Sequence, residues 1–287
     1  MKNYILFHKN CFDGYGAALA GWMHFKEKRE EVVLIPCNYN EKFPLTEEEI
    51  KDSVIYVLDF SFPKEELIKA NGLAKEIKIL DHHQTAEKDL KDLSFAHFDM
   101  SQSGAMLAWK YFHPNKPIPK LIEYIQDRDL WTFLLPYSKE VNSSIQSNDL
   151  NSDCLYVFES LLNQMEDPSY IDQMKSEGSA ILRAQKQAVD LAINRSCLLI
   201  SLGGYDIPAC NSSIYESEIA ARLLDKFPNS PFAAAFYYSS NGETINLSLR
   251  CKDDFDVSVI AKLYNGGGHK KASGCKVKAK DLIMKKF

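Results

Sequence analysis

Short apolar runs rich in β-branched residues alternate with amphipathic stretches through the first third of the chain. Residues 2–7, 32–35, 54–58 and 77–80 read as buried strands. Between the first two, Gly14 to Trp22 carries small residues along one side, as a helix packed closely on a sheet would. Thr46-Glu47-Glu48-Glu49 has the form of a capping box before a short helix, and Pro63 suits the first turn of another. Strand–helix alternation of this kind predicts a parallel, doubly wound α/β sheet.

After Ser103-Gly104 the pattern turns helical. Helices are expected over 105–112, ended by Pro114, and over 119–126, running into Asp127-Arg128-Asp129. Two more follow over 152–166 and 168–195, the second long and polar enough to read as a linker. Strand patterns return at 198–201, 205–207, 232–238 and 245–250, with helices at 217–227 and 257–263. The expected organisation is an α/β domain over 1–150, a helical linker over 151–196 and a smaller α/β domain over 197–287.

Three of the predicted strands end in groups that bind metals. Residues 4–7 reach His8, 54–58 reach Asp59, and 77–80 reach Asp81-His82-His83. In open parallel sheets ligands bind beyond the carboxyl ends of the strands, so these three ends point to one site. Neighbouring side chains at a strand end point in different directions, so one histidine can bind a metal while the next faces a substrate. Imidazole and carboxylate ligands without thiolate suit manganese, iron(II) or magnesium better than structural zinc. Candidate ligands are His8, Asp13, Asp59, His82 and Asp127, with Asn10 or Asp129 completing a shell. That is enough for two ions, with Asp59 placed centrally to bridge them. Each residue alone has a plainer role: His8 as a loop histidine, Asp59 as a helix cap, Asp127 and Asp129 as solvated helix-end charges. The joint placement carries the metal reading.

A second informative stretch is Gly266-Gly267-Gly268-His269-Lys270-Lys271. Backbone amides in a glycine-rich loop can form an anion nest, and Arg250 offers a planar fork for phosphate.

Composition narrows the partners. At 287 residues the chain is long enough for two domains, and 45% hydrophobic with 25% charged residues is ordinary for a globular protein. No apolar run approaches the roughly 20 residues needed to span a bilayer, so no membrane partner is expected. Met1-Lys2-Asn3-Tyr4 leads straight into a strand without the layout of a signal peptide. Seven cysteines without a Cys-x-x-Cys pair argue against a disulfide framework and fit a reducing cytoplasm. A formal charge of −5 argues against a broad coat for long nucleic acid. Residues 262–287, however, hold eight lysines against one aspartate, a patch able to hold a phosphate.

Together these stretches resemble the DHH phosphoesterase superfamily, in its branch with a C-terminal DHHA1 domain. His8-x-Asn10-x-x-Asp13-Gly14 is similar to its first motif, Val57-Leu58-Asp59 to its second, Asp81-His82-His83 to its third and Asp127-Arg128-Asp129 to its fourth. Ser248-Leu249-Arg250 followed by Gly266-Gly267-Gly268-His269 is similar to the DHHA1 signature. The resemblance implies a phosphoesterase using two manganese ions, with magnesium as the alternative, and a cleft between its two domains. It implies His82 as a ligand, His83 facing the scissile phosphate, and Asp81 orienting a ligand. Of the two acids in the fourth motif, Asp127 is preferred because it follows the helix directly. Arg250, Gly266, Gly267, Gly268 and His269 would bind substrate. One departure is Asn10, where family members carry an aspartate at or near this place.

The implied substrates are short RNA or DNA oligonucleotides or linear dinucleotides, and 3′-phosphoadenosine 5′-phosphate. A RecJ-like single-strand exonuclease is the enzymatic alternative, and a nucleotide sensor with a decayed metal site the non-catalytic one. The oligomeric state is left open.

Overall fold

A computed structural model describes residues 2–39, 41–148, 154–252 and 254–286. The chain divides into two compact units, Met1–Leu182 and Arg183–Phe287.

The first unit is built on five parallel strands: β1 (Asn3–His8), β2 (Val33–Cys37), β3 (Val54–Leu58), β4 (Glu76–Asp81) and β5 (Ala96–Phe98), in the order β2-β1-β3-β4-β5. Parallel neighbours need crossovers, and helices α1 (Phe12–Lys28), α2 (Glu47–Ile50), α3 (Lys64–Leu73) and α4 (Gln84–Leu90) provide them. Thr46 and Glu49 close the expected capping box at α2. Helices α5 (Gly104–Phe112), α6 (Lys120–Asp129), α7 (Ser138–Ile145) and α8 (Cys154–Gln164) follow.

Both sheet faces are covered, as the predicted doubly wound architecture requires. Ile5, Phe7, Leu58 and Leu80 pack with residues of α1, α5, α6, α7 and α8. Leu6, Ile55, Val57 and Ile79 pack on the other side with Ile50, Leu67, Ala70 and Leu90. Strand order reverses between β1 and β3, the switch point where the strand ends of such sheets leave room for a ligand.

The expected linker has two fates. Phe158, Leu161, Leu162, Met165 and Met174 are buried in the core of the first unit, so this part of 151–196 is structural core. The long helix α9 (Pro168–Ser196) then crosses the division between the units. The expected domain boundary at 150/151 and the expected helix start at 152 lie outside the described residues.

The second unit has a seven-stranded mixed sheet, in the order β10-β11-β9-β8-β7-β6-β12. Its strands are β6 (Cys197–Leu202), β7 (Tyr205–Asn211), β8 (Phe232–Tyr238), β9 (Thr244–Cys251), β10 (Gly267–Gly268), β11 (Ala272–Lys278) and β12 (Ile283–Lys285). Helix α10 (Glu216–Lys226) covers one face with Val189 and Ile193 of α9, and α11 (Val257–Lys262) covers the other. Burial alternates strictly along β9, as an antiparallel strand with unlike faces requires. Among the described residues, no helix is long and apolar enough to cross a membrane.

Candidate metal centre

Because β1, β3 and β4 are neighbours, their carboxyl ends bring His8, Asp59 and Asp81-His82-His83 side by side. Two helices complete the cluster: Asp13 comes from the first turn of α1 and Asp129 is the last residue of α6. Close backbone packing allows this. A Cβ on Gly14 would lie 2.1 Å from the His8 carbonyl, and one on Gly104 would lie 2.5 Å from the Asp59 Cβ. Glycine at both positions lets α1 and the start of α5 approach the strand ends.

The Asp59 carboxylate is the centre of the cluster. It is 1% exposed, and its backbone takes a left-handed φ of 61°. Its Oδ1 lies 3.1 Å from His82 Nε2, and its Oδ2 lies 3.4 Å from His8 Nδ1. His82 Nε2 is also 3.4 Å from Asp13 Oδ2 and 3.5 Å from Asp129 Oδ2. Within this unit three groups have their ligand atoms within 4.8 Å of one another: His8–Cys11–Asp59, Asp13–His82–Asp129 and Asp59–Asp81–His83, the last with its Asp81 and His83 already hydrogen-bonded to each other.

The electrostatics show a site short of positive charge. Burial pushes the Asp13 carboxyl well up, and repulsion from Asp59 and Asp129 adds to it. Two amides at the start of α5, from Gly104 (2.6 Å) and Ala105 (2.9 Å), donate to Asp13 without offsetting that shift. Burial also raises Asp129, with His82 pulling it down and Asp59 pushing it up. At Asp59 burial is outweighed by His8 and His82, which hold its carboxyl well below the usual range. Burial opposes charge on His82, but Asp59, Asp129 and Asp13 raise it to about 10. Among the described residues, Asp59 Oδ2 and Asp129 Oδ2 are buried without a hydrogen-bond partner. Three crowded carboxylates, two of them with an orphaned buried oxygen, fit divalent cations.

His83 is held differently. Its Nδ1 meets Asp81 Oδ1 at 2.7 Å, and Asp81 in turn accepts from the Ser61 hydroxyl at 2.8 Å and the His82 amide at 2.7 Å. Burial opposes charge on His83, yet Asp81 raises its pKa above the ordinary histidine value. Tyr39 packs edge-on against both His8 and His83, an aromatic wall that sequence patterning did not single out.

In the second unit, Arg250 near the end of β9 donates to the Ser217 hydroxyl (2.5 Å) and to the Leu249 carbonyl (2.7 Å). It pairs in register with Ala272 of β11, three residues after His269. The glycines are part of a short antiparallel ladder. Gly267 and Gly268 pair with Gly274 and Ser273, the Gly266 amide donates to the Ala261 carbonyl, and the His269 amide donates to the Ala272 carbonyl.

The chain is similar to several known proteins. The DHHA1 domain family matches residues 215–286. An uncharacterized protein of Acanthamoeba polyphaga mimivirus is 31% identical over 285 residues, covering 94% of this chain and 66% of that protein, just under two thirds of its length. The oligoribonuclease NrnB of Bacillus subtilis is 22% identical over 313 residues, covering 96% of this chain and 73% of the relative. Among solved structures, the pGpG-specific phosphodiesterase PggH of Vibrio cholerae superposes with a TM-score of 0.50 at 12% identity, covering 98% of this chain and 95% of that one. These matches give a DHHA1 domain at residues 215–286 and, over nearly the whole chain, a likeness to DHH phosphoesterases.

Two sequence expectations are corrected. Asp127 is not in the cluster. Its Oδ1 accepts from the Thr132 hydroxyl (2.6 Å) and Leu134 amide (2.8 Å), and its Oδ2 from the Leu135 amide (3.0 Å). Two residues are about 200° apart around a helix, so when α6 continues to Asp129 that residue faces His82 and Asp127 faces the loop that follows. Asn10 is exposed at a left-handed φ of 57°, and the group this turn brings to His8 and Asp59 is the Cys11 thiol. Asp81 holds the His83 ring and also accepts from the His82 amide. His8, Asp13, Asp59 and His82 do converge. The Cys11 thiol is raised well above its usual pKa by burial and by Asp59, Asp129 and Asp13, with the Gly14 amide opposing.

Proposed function

We propose that this chain is a phosphodiesterase that uses two divalent cations, manganese in preference to magnesium. Its proposed substrates are short oligonucleotides and linear dinucleotides, cleaved to mononucleotides, and 3′-phosphoadenosine 5′-phosphate. The observation that carries this reading is the Asp59 carboxylate, one oxygen toward His8 and the other toward His82, between two sets of three ligands. Paired divalent cations activate water and neutralise phosphate oxygens in an in-line displacement at phosphorus. The remaining roles belong to side chains. Asp81 fixes the His83 ring through Nδ1 and favours its protonated form, so His83 is placed to donate a proton to a leaving oxygen. Tyr39 walls the same side. Arg250 and His269 offer donors for an anionic group of the substrate.

Substrate size follows from charge. Binding to long nucleic acid scales with the number of phosphates neutralised. With a net charge of −5 and its lysine excess confined to residues 262–287, the chain offers few such contacts. The relative NrnB is named an oligoribonuclease, which supports the same class. The test is a panel of end-labelled RNA and DNA strands, from dinucleotides to about 20 nucleotides, assayed with manganese; kcat/KM should peak at about two to four nucleotides. Activity that climbs steadily with length and carries a steep salt dependence would replace this reading with a processive single-strand exonuclease.

A further inference from the structure

The two ligand sets around Asp59 are chemically unequal. One, Asp13–His82–Asp129, offers two carboxylates and an imidazole; the other, His8–Cys11–Asp59, offers an imidazole, a thiol and a carboxylate. Cys11 sits just before α1 with an extended backbone, φ −131° and ψ 128°, and its side chain does not cap the helix. The thiol lies within 4.8 Å of the His8 and Asp59 ligand atoms instead. A cysteine near acidic residues would mean little by itself. Here a second observation points to a ligand: Asp59 Oδ2, on a side chain 1% exposed, has no hydrogen-bond partner among the described residues and faces His8 at 3.4 Å. One nitrogen, one sulfur and one oxygen therefore converge where a buried carboxylate oxygen lacks a partner.

We propose that Cys11 is a thiolate ligand, so that the His8–Cys11–Asp59 position holds a thiophilic ion of the zinc, iron(II) or cobalt(II) type while the Asp13–His82–Asp129 position holds a harder ion such as manganese. This rests on the metal-dependent reading above. Soft sulfur ligands favour zinc, iron and cobalt, whereas carboxylates suit magnesium and manganese. The cation displaces the thiol proton to solvent as the M–S bond forms, because a coordinating thiol is deprotonated outright. Asp59, with one oxygen toward each set, links the unlike positions. The preparation most active on a phosphodiester would then be a mixed-metal one.

Cobalt(II) reports this without any turnover. The full chain, freed of metal, is titrated with cobalt(II), counting bound ions by equilibrium dialysis while recording the near-ultraviolet thiolate-to-cobalt charge-transfer band. The expected result is two bound ions and a band that appears with only one of them. Cys11→Ser should lose the band. Cys11→Asp, which keeps a ligand at the position and guards against a folding artefact, should also lose the band yet still bind two ions. Its preference for zinc over manganese should fall on the order of tenfold or more relative to the parent chain. Two bound ions without a band, or a band that survives in both variants, overturns the role of Cys11 while leaving the metal-dependent reading intact. No bound cobalt at all overturns both.

Discussion

The first unit gathers its chemistry by burying charge, and the second by displaying it. Around Asp59, three carboxylates and two imidazoles are packed at strand ends, and repulsion among them pushes Asp13 and Asp129 toward the neutral form. Around Arg250, the guanidinium already bonds Ser217 and Leu249, and Lys262, Lys270, Lys271, Lys276 and Lys278 are exposed. Buried like charges are costly unless a counter-ion joins them, whereas exposed charges cost little and act over longer range. The difference separates two jobs. A cluster that is incomplete without cations is suited to chemistry, and a solvated basic strand edge is suited to holding an anion. The two regions should therefore respond in opposite ways to substitution.

Asp59→Asn should have the largest effect. Asparagine tolerates the left-handed backbone, so the fold survives, but the charge shared by both ligand sets is gone. Turnover should fall on the order of a thousandfold or more. Manganese raises the melting temperature of a protein that binds it only when folded, and chelation removes that increment. In this variant the increment should vanish, as followed by thermal melts with manganese and with chelator. A normal manganese increment would make Asp59 no more than a turn residue.

His83→Ala tests the proton donor proposed for the same region. Loss of a positioned proton donor should lower kcat by about 10²–10⁴-fold. The manganese increment should be unchanged if His83 acts as the donor, because its Nδ1 is taken by Asp81 and the His8–Cys11–Asp59 and Asp13–His82–Asp129 sets are left whole. A loss of metal affinity that parallels the loss of rate would make His83 a ligand.

How much of this was legible in sequence depended on how local the signal was. The strand ends carrying His8, Asp59 and Asp81-His82-His83 stand out because apolar runs stop abruptly at polar groups. The doubly wound sheet follows from the same runs. Asp129 was ranked behind Asp127 because helix phase decides between them, and α6 runs three residues past the expected end. Cys11 was hidden because metal-binding cysteines are usually recognised as pairs, and this one finds its partners across the sheet. Strand β11 was missed because only Cys275 and Val277 mark its buried face among glycine, serine and lysine. The fate of 154–182 as core was missed because its apolar residues are spaced among many polar ones.

The second unit should give the middle effect. Arg250→Ala and His269→Ala each remove a half-buried donor and leave both ligand sets around Asp59 whole. KM for a dinucleotide should rise about ten- to a hundredfold, the range for one charge-assisted hydrogen bond, with the manganese increment untouched. If metal affinity falls instead, the contrast between the regions fails. Steady-state kinetics beside the same thermal melts decide it.

The smallest and sharpest contrast lies within one helix. Asp127 and Asp129 are two residues apart on α6, and their environments are opposed. Asp127 is 6% exposed, and burial alone would raise its pKa. Bonds from Ser138, Thr132 and the Leu134 and Leu135 amides outweigh burial and hold it below the ordinary value of 3.8. A carboxylate with a depressed folded pKa contributes stability that is fully present above its unfolded pKa and is lost as pH falls through the folded one. Asp127→Asn removes that charge and turns an amide NH₂ toward donors that need an acceptor. It should cost about 1–3 kcal/mol at neutral pH and flatten the loss of stability below about pH 4, while the manganese increment persists. Asp129→Asn should do the reverse. Its carboxylate is raised by burial and by Asp59, so neutralising it relieves repulsion and leaves the metal-free protein as stable as before or more so. The manganese increment should shrink, because an amide oxygen replaces a charged ligand. Chemical denaturation of both variants across acid pH, with and without manganese, reads the two responses side by side. An Asp127 variant that loses metal while Asp129 keeps it would mean that α6 presents the other face to the site.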